Sequence, residues 1–202
     1  MTVFEFKEAA MDIKVKEKDF LTEYRGSDAE GRLNLMIDNY SSFPKIIRKM
    51  EVKTKYRIKC EKEYLRSRSR GELGVRVQTS NLSDPTFDEA ATNIMIDKAL
   101  ETGESEGGLL KGIENAAQYE ADIRIISIMR MDYELLSEII EDLDDDESTW
   151  MKDFLTKHKM LKEIANERGV SYDTIKRRAY ELRCDIREEI IECLEMNCRG
   201  GM

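Results

Sequence analysis

Met160-Leu161-Lys162-Glu163-Ile164-Ala165-Asn166-Glu167-Arg168-Gly169-Val170-Ser171-Tyr172-Asp173-Thr174-Ile175-Lys176-Arg177-Arg178-Ala179-Tyr180-Glu181-Leu182 is the stretch that decides the fold. It has the pattern of two helices joined by a tight turn. Ile164 and Ala165 face the second helix, and residue 165 must be small because the helices cross closely there. Gly169 stands where the turn needs a positive φ. Val170 plugs the corner. Ser171 caps the next helix, with Thr174 three residues on. Ile175, Ala179 and Leu182 form a buried stripe at helical spacing. Tyr172, Asp173, Lys176, Arg177 and Tyr180 then face outward, where a DNA major groove would lie. With Ser171 they are the candidate DNA-binding residues. Lys157, Lys159, Lys162 and Arg178 are candidate phosphate contacts.

A plain helical hairpin in a core would share part of this pattern. The Ala–Gly–Val–Ser order and the three consecutive bases Lys176-Arg177-Arg178 favour DNA binding. Arg168 favours the hairpin, because helix-turn-helix proteins usually bury leucine there. Upstream, Ser148 is read as the cap of a helix carrying Trp150, Met151, Phe154 and Leu155, with Trp150 as core anchor. His158 reads as a loop residue or phosphate contact. Downstream, Ile186, Ile190 or Ile191 and Leu194 continue the stripe to about Met196. That extension suits packing within the chain or pairing with a second copy, a candidate homodimer.

Composition supports an all-helical reading. The 202 residues contain two prolines and 11 glycines, with 37% charged and 41% hydrophobic residues. Few turn formers argue against a sandwich or barrel, and the apolar share is too high for a disordered acidic chain. The net charge of -9 excludes a uniformly basic coat for nucleic acid, but it hides segregation. Residues 45–76 carry +8, residues 132–149 carry -9, and 157–178 carry +4. Two basic islands therefore sit in an acidic chain.

The expected architecture is an N-terminal helical region with long helices over 1–101, including the basic segment 45–76. A linker follows over 102–108, then a long helix over 109–147 ending in an acidic run, then a helix-turn-helix domain over 148–202. Within the first region, Phe4 to Tyr24 reads as an amphipathic helix. Leu33 to Tyr40 is apolar without a clear period. Ser42 and Pro44 start a helix running to about Arg66. Val75 and Val77 alternate as in a short extended piece, and Asp84-Pro85 opens a further helix.

The same residues weigh against other chemistry. Cys60, Cys184, Cys193 and Cys198 form no C-x-x-C pair, and His158 is the single histidine. No zinc site or Ser-His-Asp set is expected, and no Walker-type glycine loop is present. The acids of 142–147 are consecutive, whereas a calcium loop alternates ligands about a glycine. They read as a solvated helix end, a nucleic-acid mimic or a shield for the DNA-binding face. Arg66, Arg68, Arg70 and Arg76 fit a phosphate contact or a solvated loop equally well. No catalytic residue, metal or cofactor is expected, and the protein is not read as an enzyme. The N-terminus lacks an apolar signal core, and thiols without a disulfide pattern suit a cytoplasmic location.

From about Ser148 to Leu194 the chain resembles the region-four domain of sigma-70-type factors, whose L-x-E-I-A-x-x-x-G-V-S-x-x-T-I-x-R-R pattern binds a promoter element. The whole chain is more loosely similar to the sigma-region-four-like regulators of bacteriophages and prophages, including the ArpU type. Arg76-Val77-Gln78-Thr79-Ser80 and Ser83-Asp84-Pro85-Thr86 resemble an upstream piece of some of those proteins. The resemblance implies regulation of phage or prophage transcription through double-stranded DNA, with or without contact to RNA polymerase. Arg168 departs from the pattern, and a promoter-melting region two is not recognisable. The alternative is a DNA-recognising phage assembly protein of the small-terminase kind. There the DNA-binding domain usually lies at the N-terminus.

Overall fold

A computed structural model describes residues 20–72, 85–106 and 108–199, and every regular element among them is helical. The expected extended piece at Val75 and Val77 lies outside these residues, as does most of the helix expected from Phe4. The helices are α1 (20–26), α2 (Ala29–Asp38), α3 (Phe43–Glu72), α4 (Pro85–Thr102), α5 (Ala116–Glu141), α6 (Asp145–Leu155), α7 (Leu161–Arg168) and α8 (Tyr172–Arg199). They fall into two compact units. One is built from the described residues up to Lys45 and from Arg130 onward, the other from Ile46–Met129. Helices α3 and α5 are each shared between the two.

Three local results refine the sequence reading. The ambiguous stretch 33–40 is mostly helix α2. Asp28 caps it by accepting the Gly31 amide at 2.8 Å, and Leu33, Met36 and Ile37 are buried. The helix expected from Leu109 begins only at Ala116. Gly108 and Gly112 take φ values of 73° and 82°, which break the helix, although Leu109 and Ile113 keep the i, i+4 spacing that mimics one. Ser148 is not a cap. It is a buried residue inside α6, whose first turn holds Asp145, Asp146 and Glu147. Acids are favoured there by the amides at a helix N-terminus, so the run 142–147 starts a helix as well as ending one.

In the unit containing α8, an aromatic cluster joins α1 to α5. Phe43 stacks on Tyr133 with centroids 5.4 Å apart and meets Tyr24 at 5.8 Å. Beneath it lies a buried polar group. Asp132 is fully buried and accepts hydrogen bonds from the Tyr24 hydroxyl at 2.8 Å and from Asn197 Nδ2 at 2.7 Å. Buried Arg32 stands 3.9 Å from the same carboxylate and donates Nε–H to the Tyr24 carbonyl at 3.3 Å. In the unit of 46–129, Ile47, Met50, Thr54 and Ile58 form the buried face of α3. Tyr119 donates to Glu61 at 2.6 Å; its burial, then that carboxylate, push the phenol up to about 12.

Candidate nucleic-acid interface

Helices α7 and α8 pack against each other across residues 169–171. Helix α7 starts with Glu163 accepting the Met160 amide at 2.7 Å. It ends at Gly169, whose φ of 65° places it in the left-handed region. The Val170 amide then reaches back to the Ala165 carbonyl at 3.1 Å, which closes a Schellman-type cap. A Cβ at Gly169 would meet nothing within 4 Å, so the glycine is needed for φ alone. Gly169→Val is therefore expected to cost about 1–3 kcal/mol through backbone strain. Chemical denaturation of the two proteins measures it, and equal midpoints would remove the turn from this position.

The inner face matches the sequence pattern closely. Ile164, Ala165, Ile175, Ala179 and Leu182 are all buried. Val170 corrects it: the residue is 41% exposed and does not plug the corner. The cap carries the turn instead. Ser171 Oγ accepts the Thr174 amide at 3.1 Å and lies 2.8 Å from the Thr174 hydroxyl. Ser171, although exposed, is thus engaged in starting α8. Beyond Leu182, Ile186, Ile190 and Leu194 continue the buried stripe, and α8 packs on α2 within the same chain. Arg187 and Glu30 pair at 2.9 Å beside that contact.

Tyr172, Asp173, Lys176, Arg177 and Tyr180 are all exposed on the first turns of α8. Spacings of three and four residues put them on one arc, opposite the stripe. Arg177 has a loose i, i+4 contact with Glu181 at 3.4 Å. The candidate phosphate contacts divide. Lys162 is exposed on α7. Lys157 closes α6 at φ 59°, the only positive value on a non-glycine among the described residues, and reaches the Asp38 carbonyl at 3.5 Å. Lys159 bridges Asp153 at 3.2 Å and Glu167 at 2.8 Å, and these carboxylates raise its pKa. Arg178 is held by a two-pronged pair with Glu147, at 2.6 and 2.9 Å, which raises its pKa further. His158 is an exposed loop residue.

The acidic run explains Arg168. Its guanidinium pairs with the Asp146 carboxylate, donates to the Asp146 carbonyl at 3.1 Å and lies 5.9 Å from the centre of the Trp150 ring. Trp150 is buried, as expected of a core anchor. Arg168 is thus a cation clamped between an acidic helix start and an indole face. Asp146 and Glu147 therefore attach the start of α6 to α7 and α8 respectively. Spacing in sequence gave no sign of these pairs, 22 and 31 residues apart.

Among the described residues no group of three or more His, Cys, Asp or Glu side chains is placed to hold a metal ion, and Cys60, Cys184 and Cys193 are free thiols. No described helix is long and apolar enough to cross a membrane. The chain matches no protein-family model, no curated protein and no solved structure. The functional reading accordingly rests on the chemistry of these side chains.

Proposed function

We propose that the protein is a sequence-specific DNA-binding regulator of transcription, of the kind that phages and prophages encode, and that the exposed arc of α8 reads the major groove. One observation carries the reading: a capped, left-handed glycine turn fixes α8 on α7 so that Tyr172, Lys176, Arg177 and Tyr180 share one solvent-facing arc. Arginine offers the two donors that match a guanine edge, and lysine and tyrosine supply further donors. The arc is short, as expected of a helix that enters the groove by its N-terminal turns. Lys162 and Lys157 flank it as phosphate contacts, while Arg178 and Lys159 serve structural ion pairs. RNA polymerase is a candidate second partner. Helix α8 packs on α2 and α7 within the chain, which favours the intramolecular reading of its long stripe over pairing with a second copy.

Arg177→Ala tests the reading. The side chain is exposed, so stability should change by no more than about 0.5 kcal/mol. Affinity for a duplex selected from random sequence should fall by about 1–3 kcal/mol, with affinity for random duplex unchanged at the same salt. Equal loss on both duplexes would assign Arg177 to phosphate. No loss on either would remove α8 from the DNA.

A further inference from the structure

A second face of the molecule has the chemistry of a polyanion site. Helix α3 carries nine bases and three acids between residues 46 and 68. Its apolar side is turned inward at Ile47, Met50, Thr54 and Ile58. Val52, Lys53, Tyr56, Arg57 and Tyr64 are exposed on its outer side, together with one acid, Glu63, while Arg48 lies half a turn of the helix away from Arg57. Val52, Tyr56 and Tyr64 are 62%, 68% and 65% exposed. Two tyrosines two turns apart, each more than half exposed, stand on a stretch of helix whose charge between residues 46 and 68 is +6.

We propose that this face of α3 binds a single strand of nucleic acid, with Lys53 and Arg57 on the phosphates and the rings of Tyr56 and Tyr64 stacked on bases. Charge complementarity selects a polyanion. The tyrosines select a strand over a duplex, because a ring can stack on a base only where the base is unpaired. A membrane surface fits less well. A helix lying in lipid presents a broad face of Leu, Phe or Trp, and here the isoleucines and Met50 face the interior. From Val52 to Tyr64 the face is about 18 Å long, at 1.5 Å per residue.

A groove of about 250 Å³ between α3 and α4 borders the same stretch, lined by Lys59, Lys62, Arg66, Glu63, Glu89 and Asn93. Burial, and then the neighbouring Arg66, lower the Lys62 pKa. Asn93 Oδ1 is buried in that wall with no hydrogen-bond partner. The site lies wholly within the unit of 46–129 and does not depend on α8.

The experiment uses the full chain and a fluorescent oligo(dT) of about 20 nucleotides at about 50 mM salt, beside a blunt duplex of equal length. The expected result is binding of oligo(dT) that weakens about tenfold in Tyr56→Ala and again in Tyr64→Ala. Tyr56→Phe with Tyr64→Phe should retain it, since the ring is kept. Lys53→Glu should weaken the salt dependence, and Lys176→Ala with Arg177→Ala should leave oligo(dT) binding unchanged. Four results would overturn the proposal: no binding of oligo(dT), binding indifferent to both tyrosines, loss in the Phe pair, or loss when α8 alone is altered. Capture of anionic phosphatidylserine vesicles in place of the oligonucleotide, sensitive to the same tyrosines, would overturn it in favour of a membrane. Circular dichroism melting establishes that each variant is folded.

Discussion

Asp132→Ala is expected to destabilise the unit that holds α8 by about 3–5 kcal/mol, the usual consequence of leaving a buried charge without its partner. Arg32 is 5% exposed, and its NH1 has no hydrogen-bond partner even in the intact protein. The Asp132 carboxylate, 3.9 Å away, is the charge that compensates it. Removing the carboxylate also frees the Tyr24 hydroxyl and the Asn197 amide, so one substitution loosens α1, α2 and the end of α8 together. Urea unfolding followed by circular dichroism measures the loss. A change below about 1 kcal/mol would mean that Arg32 finds water or another acceptor.

The same carboxyl has a pH signature. Burial raises its pKa against the opposing pull of the Tyr24 and Asn197 hydrogen bonds and of Arg32. A raised value means that folding favours the protonated form. The proton-linked part of the group's contribution is therefore complete below the unfolded value of about 3.9 and is lost as pH climbs through the folded value, while the pairing with Arg32 belongs to the ionised form. Asp132→Asn cannot titrate there, so the stability of the native protein relative to this variant should improve as pH falls from neutrality.

Asp132 was legible in part. Met129, Leu136 and Ile140 mark the buried side of α5, and 132 stands three residues after the first and four before the second. An acid at that register needs a partner, and Arg32 holds the matching place between Ala29, Leu33 and Met36 on α2. What sequence does not supply is the pairing: Tyr24 and Asn197 are 108 and 65 residues away, and only the packed fold brings them together. The α7–α8 turn was far more legible. Its determinants are local, with Gly169, Ser171 and Thr174 within six residues of one another. Val170 was misplaced because an apolar residue next to a turn glycine looks like a plug, whereas backbone hydrogen bonds close the turn without one. Reading the acidic run as a solvated helix end, a mimic or a shield leaves its structural pairs unseen, because its partners Arg168 and Arg178 lie on later helices.

Leu182→Asp should act in the opposite sense to Arg177→Ala, removing the fold and leaving no arc to bind DNA. Leu182 is 1% exposed and sits between Ala179 and Ile186 on the inner stripe of α8. Of the groups nearest in sequence on the helix, Glu181 is an acid that already contacts Arg178 at 3.4 Å, and Arg178 is committed to Glu147. A carboxylate at 182 would thus be buried on the inner stripe, where the cation one turn back, Arg178, is already engaged. It would either remain charged without a partner or take up a proton, and each course costs several kcal/mol. A loss above about 4 kcal/mol is the expected result, comparable with much of the stability of a domain this size. Thermal and urea unfolding should show the cooperative transition shifted strongly downward or absent, and duplex binding should vanish with it. Leu182→Met, which keeps the volume, should change stability by less than about 1.5 kcal/mol and leave binding intact. If Leu182→Asp instead melted like the native protein, α8 would not be anchored by this stripe. The outward arc of Tyr172, Lys176, Arg177 and Tyr180 would then have no fixed direction from which to read a groove.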